Sequence, residues 1–124
     1  MKLSPLDKLF SQYIRLRAMN RAHGCERCLQ GKTSITQLHC AHMFSRRKHS
    51  VRFDPDNAAG LCPGCHRFLD DNALDKVRFF MLLLGQERFD LLECRAGQIY
   101  KPDIEAITLY LKHKIRELEG YDTH

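Results

Sequence analysis

Cys25-Glu26-Arg27-Cys28 and Cys62-Pro63-Gly64-Cys65 are two CxxC pairs, with residues 29–61 between them. Thiolates at that spacing form knuckles whose sulfurs reach one ion, and four of them make a closed tetrahedral zinc site. His42 and Asn57 fall between the pairs, and His66 follows the second pair directly. A histidine titrates near neutrality and can take a proton from water. A divalent cation held by another histidine stabilises charge on a phosphate and on a leaving oxygen. Mg²⁺ keeps several of its waters, so two or three protein ligands suffice. These residue types suit phosphodiester hydrolysis.

The chain has 124 residues, enough for a single domain. So small a domain buries limited apolar surface, and a structural metal is a sensible staple. The spacer between the pairs is longer than in compact zinc fingers and is the right size for a β-hairpin with a functional loop. Six cysteines would suggest disulfides in a secreted protein, but in a reducing compartment CxxC pairs suggest metal. The start, Met1-Lys2-Leu3-Ser4-Pro5, lacks a signal-peptide pattern, and Phe79 to Leu84 is the longest apolar run, far too short to span a membrane. The expectation is a cytoplasmic protein with Cys25, Cys28, Cys62 and Cys65 on zinc. Cys40 and Cys94 stand alone and are expected as small buried apolar side chains.

A net charge of +5 and a pI near 9.0 fit a nucleic-acid partner. Arg46, Arg47, Lys48 and Arg52 crowd one segment, with His49 among them. They are expected to contact phosphates; the alternative is a solvated loop.

Helical signals begin at Ser4, with Pro5 in the first turn and Asp7 three residues past the cap. Leu6, Leu9, Phe10, Tyr13 and Ile14 follow at helical spacing. Residues 34–43 are predicted as a strand and 58–61 as the second strand of a hairpin, with a basic loop over 45–56. A helix is expected from Pro63, carrying His66, Phe68 and Leu69. Asn72 is expected to cap the next helix, burying Leu74, Val77, Phe80, Met81 and Leu84 and stopping at Gly85. A short helix over 86–94 and a longer one over 102–119 complete the chain. The stripe Ile104, Ile107, Leu111, Ile115 and Leu118 is read as core, with a homodimer seam as the alternative. His23, His49, His113 and His124 receive no role.

The series His42, Asn57, His66 resembles the HNH endonucleases. That resemblance implies a β-hairpin, metal ion and helix core, with His42 as general base and His66 binding a divalent metal, Mg²⁺ or Mn²⁺. It implies that Asn57 orders the hairpin loop and so orients the base. A closer resemblance is to the Rap (NinG) recombination endonucleases of lambdoid phages. It runs from the first CxxC pair through His42 and Arg52-Phe53-Asp54-Pro55-Asp56-Asn57 to the second pair, and on into Leu84-Gly85-Gln86-Glu87. This implies a phage- or prophage-encoded DNA nuclease acting in a bacterial host on branched recombination intermediates, such as Holliday junctions and D-loops. The chain departs from the wider pattern at Ala41, where many members carry Asp or His as a metal ligand. His39, three residues before the base, and Asp70, four after His66, are the candidate replacements. His39 and His42 would face opposite sides of a regular strand, so His39 requires a bulge or a strand end.

The expected architecture is α+β and mostly helical: an N-terminal helix over 1–24, a zinc-stapled ββα-metal (HNH) core over 25–72 and a helical part over 73–124. The alternative function is a non-catalytic zinc module binding DNA or protein, which Ala41 keeps open; an RNA-directed nuclease is a third reading. A branch-specific enzyme often cuts two strands, which favours a homodimer.

Overall fold

A computed structural model describes residues 2–120. His124 lies outside the described residues. The chain runs α1 (Pro5–Ala22), β1 (His39–His42), β2 (Ala58–Leu61), α2 (Pro63–Asp71), α3 (Ala73–Leu84), α4 (Gln86–Ala96) and α5 (Ile104–Leu118). It is α+β and mostly helical, with one two-stranded sheet among the described residues. No helix is long and apolar enough to cross a membrane.

The start of α1 obeys its sequence. The Asp7 amide donates to Ser4 Oγ at 3.1 Å, and the Ser4 amide donates to Asp7 Oδ2 at 2.7 Å. This reciprocal box satisfies two of the amides a helix start leaves unpaired. Leu6, Phe10, Tyr13 and Ile14 are buried against Phe53 and Ala58 and against Leu111 and Ile115 of α5. α1 also lies on the sheet. A methyl group at Gly60 would sit 2.5 Å from the Ala18 Cβ, so only glycine admits this approach of helix to strand.

β1 and β2 pair antiparallel, with His39 opposite Leu61 and His42 opposite Ala58. Leu38, Ala41, Ala59 and Leu61 join Leu69, Phe80 and Phe89 in a second apolar cluster, which packs α2, α3 and α4 beneath the hairpin. Gly85, at φ 84°, turns α3 into α4 where a side chain would be strained.

Several expectations are corrected. The first strand is shorter than 34–43, because Ser34 and Gln37 close a 3₁₀ turn over Ile35–Gln37. In that turn the Thr36 amide donates to Ser34 Oγ at 3.2 Å, and the Ser34 amide donates to Gln37 Oε1 at 3.1 Å. Such local side-chain bonds compete with a strand ladder. Asn72 precedes α3 without capping it; its amide donates back to the Phe68 carbonyl at 2.7 Å. Leu74 is 62% exposed and Ile104 is 52% exposed, so neither belongs to the buried stripe predicted for its helix. Leu111 and Ile115 are core, as the stripe reading held. Cys40 is partly buried, and burial pushes its thiol up to about 12, but Cys94 is exposed.

Candidate functional site

The two CxxC pairs meet. The sulfurs of Cys25, Cys28, Cys62 and Cys65 all lie within 4.8 Å of one another, and Cys28 Sγ is 4.0 Å from Cys62 Sγ. Four sulfurs at ~2.3 Å from a tetrahedral ion stand roughly 3.8 Å apart. The donor set therefore fits a closed metal site, consistent with structural zinc. Burial disfavours ionisation of Cys25, yet the Cys62, Cys28 and Arg27 backbone amides outweigh it and draw the thiol down to about 7. Burial raises Cys65 to about 12, Arg27 opposing and the neighbouring thiols adding to the rise. A cluster of thiolates this tight needs a cation. Arg27 Nη1 donates to Cys65 Sγ at 3.3 Å, which supplies part of that charge.

The knuckles are tied to the rest of the fold by Glu26. It is buried, pairs with Arg21 of α1 and accepts the Gly60 amide on Oε2 at 2.8 Å. The Glu26 amide donates to the Gly60 carbonyl at 3.0 Å. The metal site, α1 and β2 are thus one bonded unit. Cys62 is the N-cap of α2 and Pro63 its first residue, so His66 projects from the first turns of a helix whose start the thiolate cluster fixes.

A cleft of about 640 Å³ opens between α1, the hairpin and α2. His39, His42, His66 and Asp70 all line it. His39 and His42 are the first and last residues of a four-residue strand, and both reach the same cleft. The strand end, rather than a bulge, resolves the facing problem. His39 Nδ1 lies 3.0 Å from His66 Nδ1, with the rings near perpendicular at 81°. His66 Nε2 is 3.4 Å from Asp70 Oδ2, and Lys76 Nζ is 3.2 Å from Asp70 Oδ1. Burial lowers the His66 pKa; Asp70 opposes this, while His39 and Lys76 add to it.

His42 differs from these two. Its ring sits 5.7 Å from the Phe10 ring, and its Nε2 is buried with no hydrogen-bond partner among the described residues. Burial, with the Arg46 charge added, lowers its pKa from 6.5 to about 4, although a hydrogen bond with the Arg52 backbone and the charge of Asp7 oppose the fall. His42 is therefore neutral at neutral pH, and the same burial makes it a weaker base than a free imidazole.

Asn57 is fully buried and clasps the loop before it. Its Oδ1 accepts the Phe44 amide at 2.8 Å, and its Nδ2 donates to the Phe44 and Val51 carbonyls at 2.9 and 3.1 Å. Its own carbonyl accepts the Met43 amide at 2.9 Å. One side chain thus locks both ends of the loop that leaves the strand carrying His42.

The basic run divides. Arg47 and Lys48 are exposed, and Arg46 lines the cleft with Nη1 buried and unpartnered. Arg52 turns the other way. Its Nε and Nη2 donate to Asp7 Oδ1 and Oδ2 at 3.0 and 2.6 Å. Burial opposes ionisation of Asp7, but Arg52 and Ser4 outweigh it and hold the carboxyl at about 2. Two of the Arg52 nitrogens are thus engaged inside the fold and tie its guanidinium to α1. The acids beside it are structural too: Asp54 pairs with Arg95 of α4 at 2.7 Å, and Asp56 pairs with Arg88.

Sequence reasoning missed Lys8, Ser11, Arg15 and Lys76, which also line the cleft. The signal was present in α1, where Lys8, Ser11 and Arg15 recur at helical spacing. Nothing local showed that this face would look onto the hairpin.

A family model described as the bacteriophage Lambda NinG protein matches residues 3–120. No curated protein and no solved structure matches the chain.

Proposed function

The chain belongs to the NinG family, and from that premise we propose that it is a metal-dependent DNA endonuclease of the HNH type. It hydrolyses phosphodiester bonds, selectively on branched recombination intermediates such as Holliday junctions and D-loops, in the cytoplasm of a bacterial host. The observation that carries the reading is the cleft itself. It gathers a neutral, unpartnered His42, the converging pair His39 and His66, and the cation Arg46.

His42 takes a proton from the attacking water on its neutral ring. Phe10 behind the ring and the Asn57 clasp hold it in place. His39 and His66 hold a divalent ion, Mg²⁺ or Mn²⁺, and Asp70 orients the His66 ring from its other nitrogen. When bound, that ion stabilises charge on the phosphate and on the leaving oxygen. Arg46 binds a non-bridging phosphate oxygen, since an unpaired guanidinium facing a cleft is suited to that partner. The four cysteines hold structural Zn²⁺, which fixes the start of α2 and hence His66.

The second reading is a non-catalytic zinc module. It is favoured by Ala41 and by the size of the histidine pair: among the described residues, only the four cysteines bring three or more ligands together. The deciding experiment incubates the protein with linear, supercoiled and branched DNA, with Mg²⁺, Mn²⁺ or EDTA. Divalent-dependent cutting that prefers the branched substrate supports the nuclease. Binding without cutting under every metal condition supports the module.

A further inference from the structure

The carboxylates of the cleft are both committed. Asp7 is held by Arg52, and Asp70 by Lys76 and His66. Three cations on the cleft have no carboxylate partner among the described residues: Lys8, Arg15 and Arg46. Lys8 and Arg15 stand on one face of α1, with Ser11 between them. Arg15 is aimed rather than loose. Its Nε donates to the Ser11 carbonyl and hydroxyl at 3.2 and 3.0 Å, and its Nη1 donates to the Ile35 carbonyl at 3.2 Å. A guanidinium has five donors, so the anchored side chain keeps N–H groups for a ligand at little further entropic cost. Lys8 and Arg15 lie seven residues apart, roughly 10 Å along a helix axis. That matches the axial rise of about three base-pair steps of B-form DNA.

We infer that the Lys8–Ser11–Arg15 face of α1 is a docking wall for the phosphodiester backbone of DNA, lying across the cleft from the hairpin and its Arg46. The wall rests on the nuclease reading for the identity of its strand and extends it, since α1 then registers the strand while the hairpin and α2 act on it. Ser11 adds a neutral hydroxyl donor between the two cations. Contacts of this kind position a backbone without reading its sequence.

The test is equilibrium binding of the zinc-loaded full chain to labelled branched and linear DNA across a salt series, without added divalent metal. Lys8→Ala is the cleanest variant, because Lys8 is exposed and its side chain makes no hydrogen bond or ion pair among the described residues. It should flatten the slope of log affinity against log salt by about one. Lys8→Ala with Arg15→Gln should flatten it by about two and weaken binding roughly 10- to 100-fold at 0.1 M salt. Lys112→Ala, on the exposed side of α5, should leave the slope unchanged. An unchanged slope in Lys8→Ala and in the double variant overturns the inference, even where wild-type protein cuts DNA. Wild-type protein that binds with the expected slope changes but never cuts sinks the nuclease reading and leaves the wall standing. Failure of wild-type protein to bind any DNA overturns both, and equal slope changes on RNA overturn the choice of DNA.

Discussion

His39 Nδ1 and His66 Nδ1 lie 3.0 Å apart across 27 residues of sequence, one at the start of a strand and one near the start of a helix. Two ligand atoms at ~2.1 Å from an octahedral ion, at right angles, are also about 3.0 Å apart. Asp70 stands behind the other nitrogen of His66, where a metal-ligating histidine usually finds a carboxylate. On the proposed nuclease reading, His39 would be the ligand at the position left open by Ala41 and Asp70 the partner that orients His66.

The three residues should therefore fail differently. His39→Ala and His66→Ala should both lose divalent-metal response in single-turnover cleavage of a branched DNA. Asp70→Asn should keep that response but need ~10- to 100-fold more metal. Imidazole donors favour borderline metals over Mg²⁺, so Mn²⁺ should reach half-maximal rate at lower concentration than Mg²⁺. If Asp70→Ala abolishes the metal response while His39→Ala leaves it intact, the roles are reversed.

The cysteine cluster should carry one zinc per chain. Cys28→Ser or Cys62→Ser removes a thiolate from a site that joins the knuckles to α2, and binding free energy there is folding free energy. Each should disorder the hairpin and the start of α2, seen as lost amide protection over residues 25–66 in hydrogen exchange. A well-folded wild-type protein without zinc by metal analysis would refute the assignment.

Several helix ends were legible because their signals are local: Ser4 with Asp7, Pro63 after Cys62, and Gly85. So was the cysteine cluster, since two CxxC pairs leave few alternatives. The hidden part was whatever depended on which helix lies over the hairpin. Arg52 reads as one more cation in a basic run, and only the position of α1 reveals that Asp7 claims it. Nothing local to Lys8 and Arg15 shows that they face the cleft, for the same reason. Asp54 and Asp56 read as turn residues, although Arg95 and Arg88 of α4 make them anchors. Leu74 fits the apolar period of α3 but is left exposed.

Arg52 should behave as a residue of the fold rather than of the ligand site. Arg52→Ala strands the buried Asp7 carboxylate and frees the loop before Asn57. We expect a loss of about 3 kcal/mol in denaturant unfolding, the usual cost of removing one partner from a buried pair. The salt slope of DNA binding should not change in the folded fraction. A stability near wild type with a slope flattened by one would return Arg52 to the phosphate contacts.

His42 gives a prediction in two independent observables. As the general base it should be needed for chemistry and not for binding. His42→Ala should hold DNA and metal normally and lose ~10²–10⁴ in single-turnover rate. The second observable is stability against pH, and its sign follows from burial. The His42 pKa falls from 6.5 to about 4 on folding. Between those values the unfolded chain binds a proton that the folded chain refuses, so stability rises with pH across the window. The contribution is fully present above pH 6.5 and is lost progressively as pH falls toward 4. Relative to a non-titrating His42→Gln variant, wild-type protein should lose about 1.4 kcal/mol on going from pH 7.5 to 5.5. The zinc thiolates titrate alike in both proteins and cancel in the difference. Urea unfolding at the two pH values, with zinc content checked at each, measures it. Parallel pH dependence in the two proteins would mean that His42 is not held neutral by burial. A folded His42→Ala protein that cuts at the wild-type rate would remove it from the chemistry altogether.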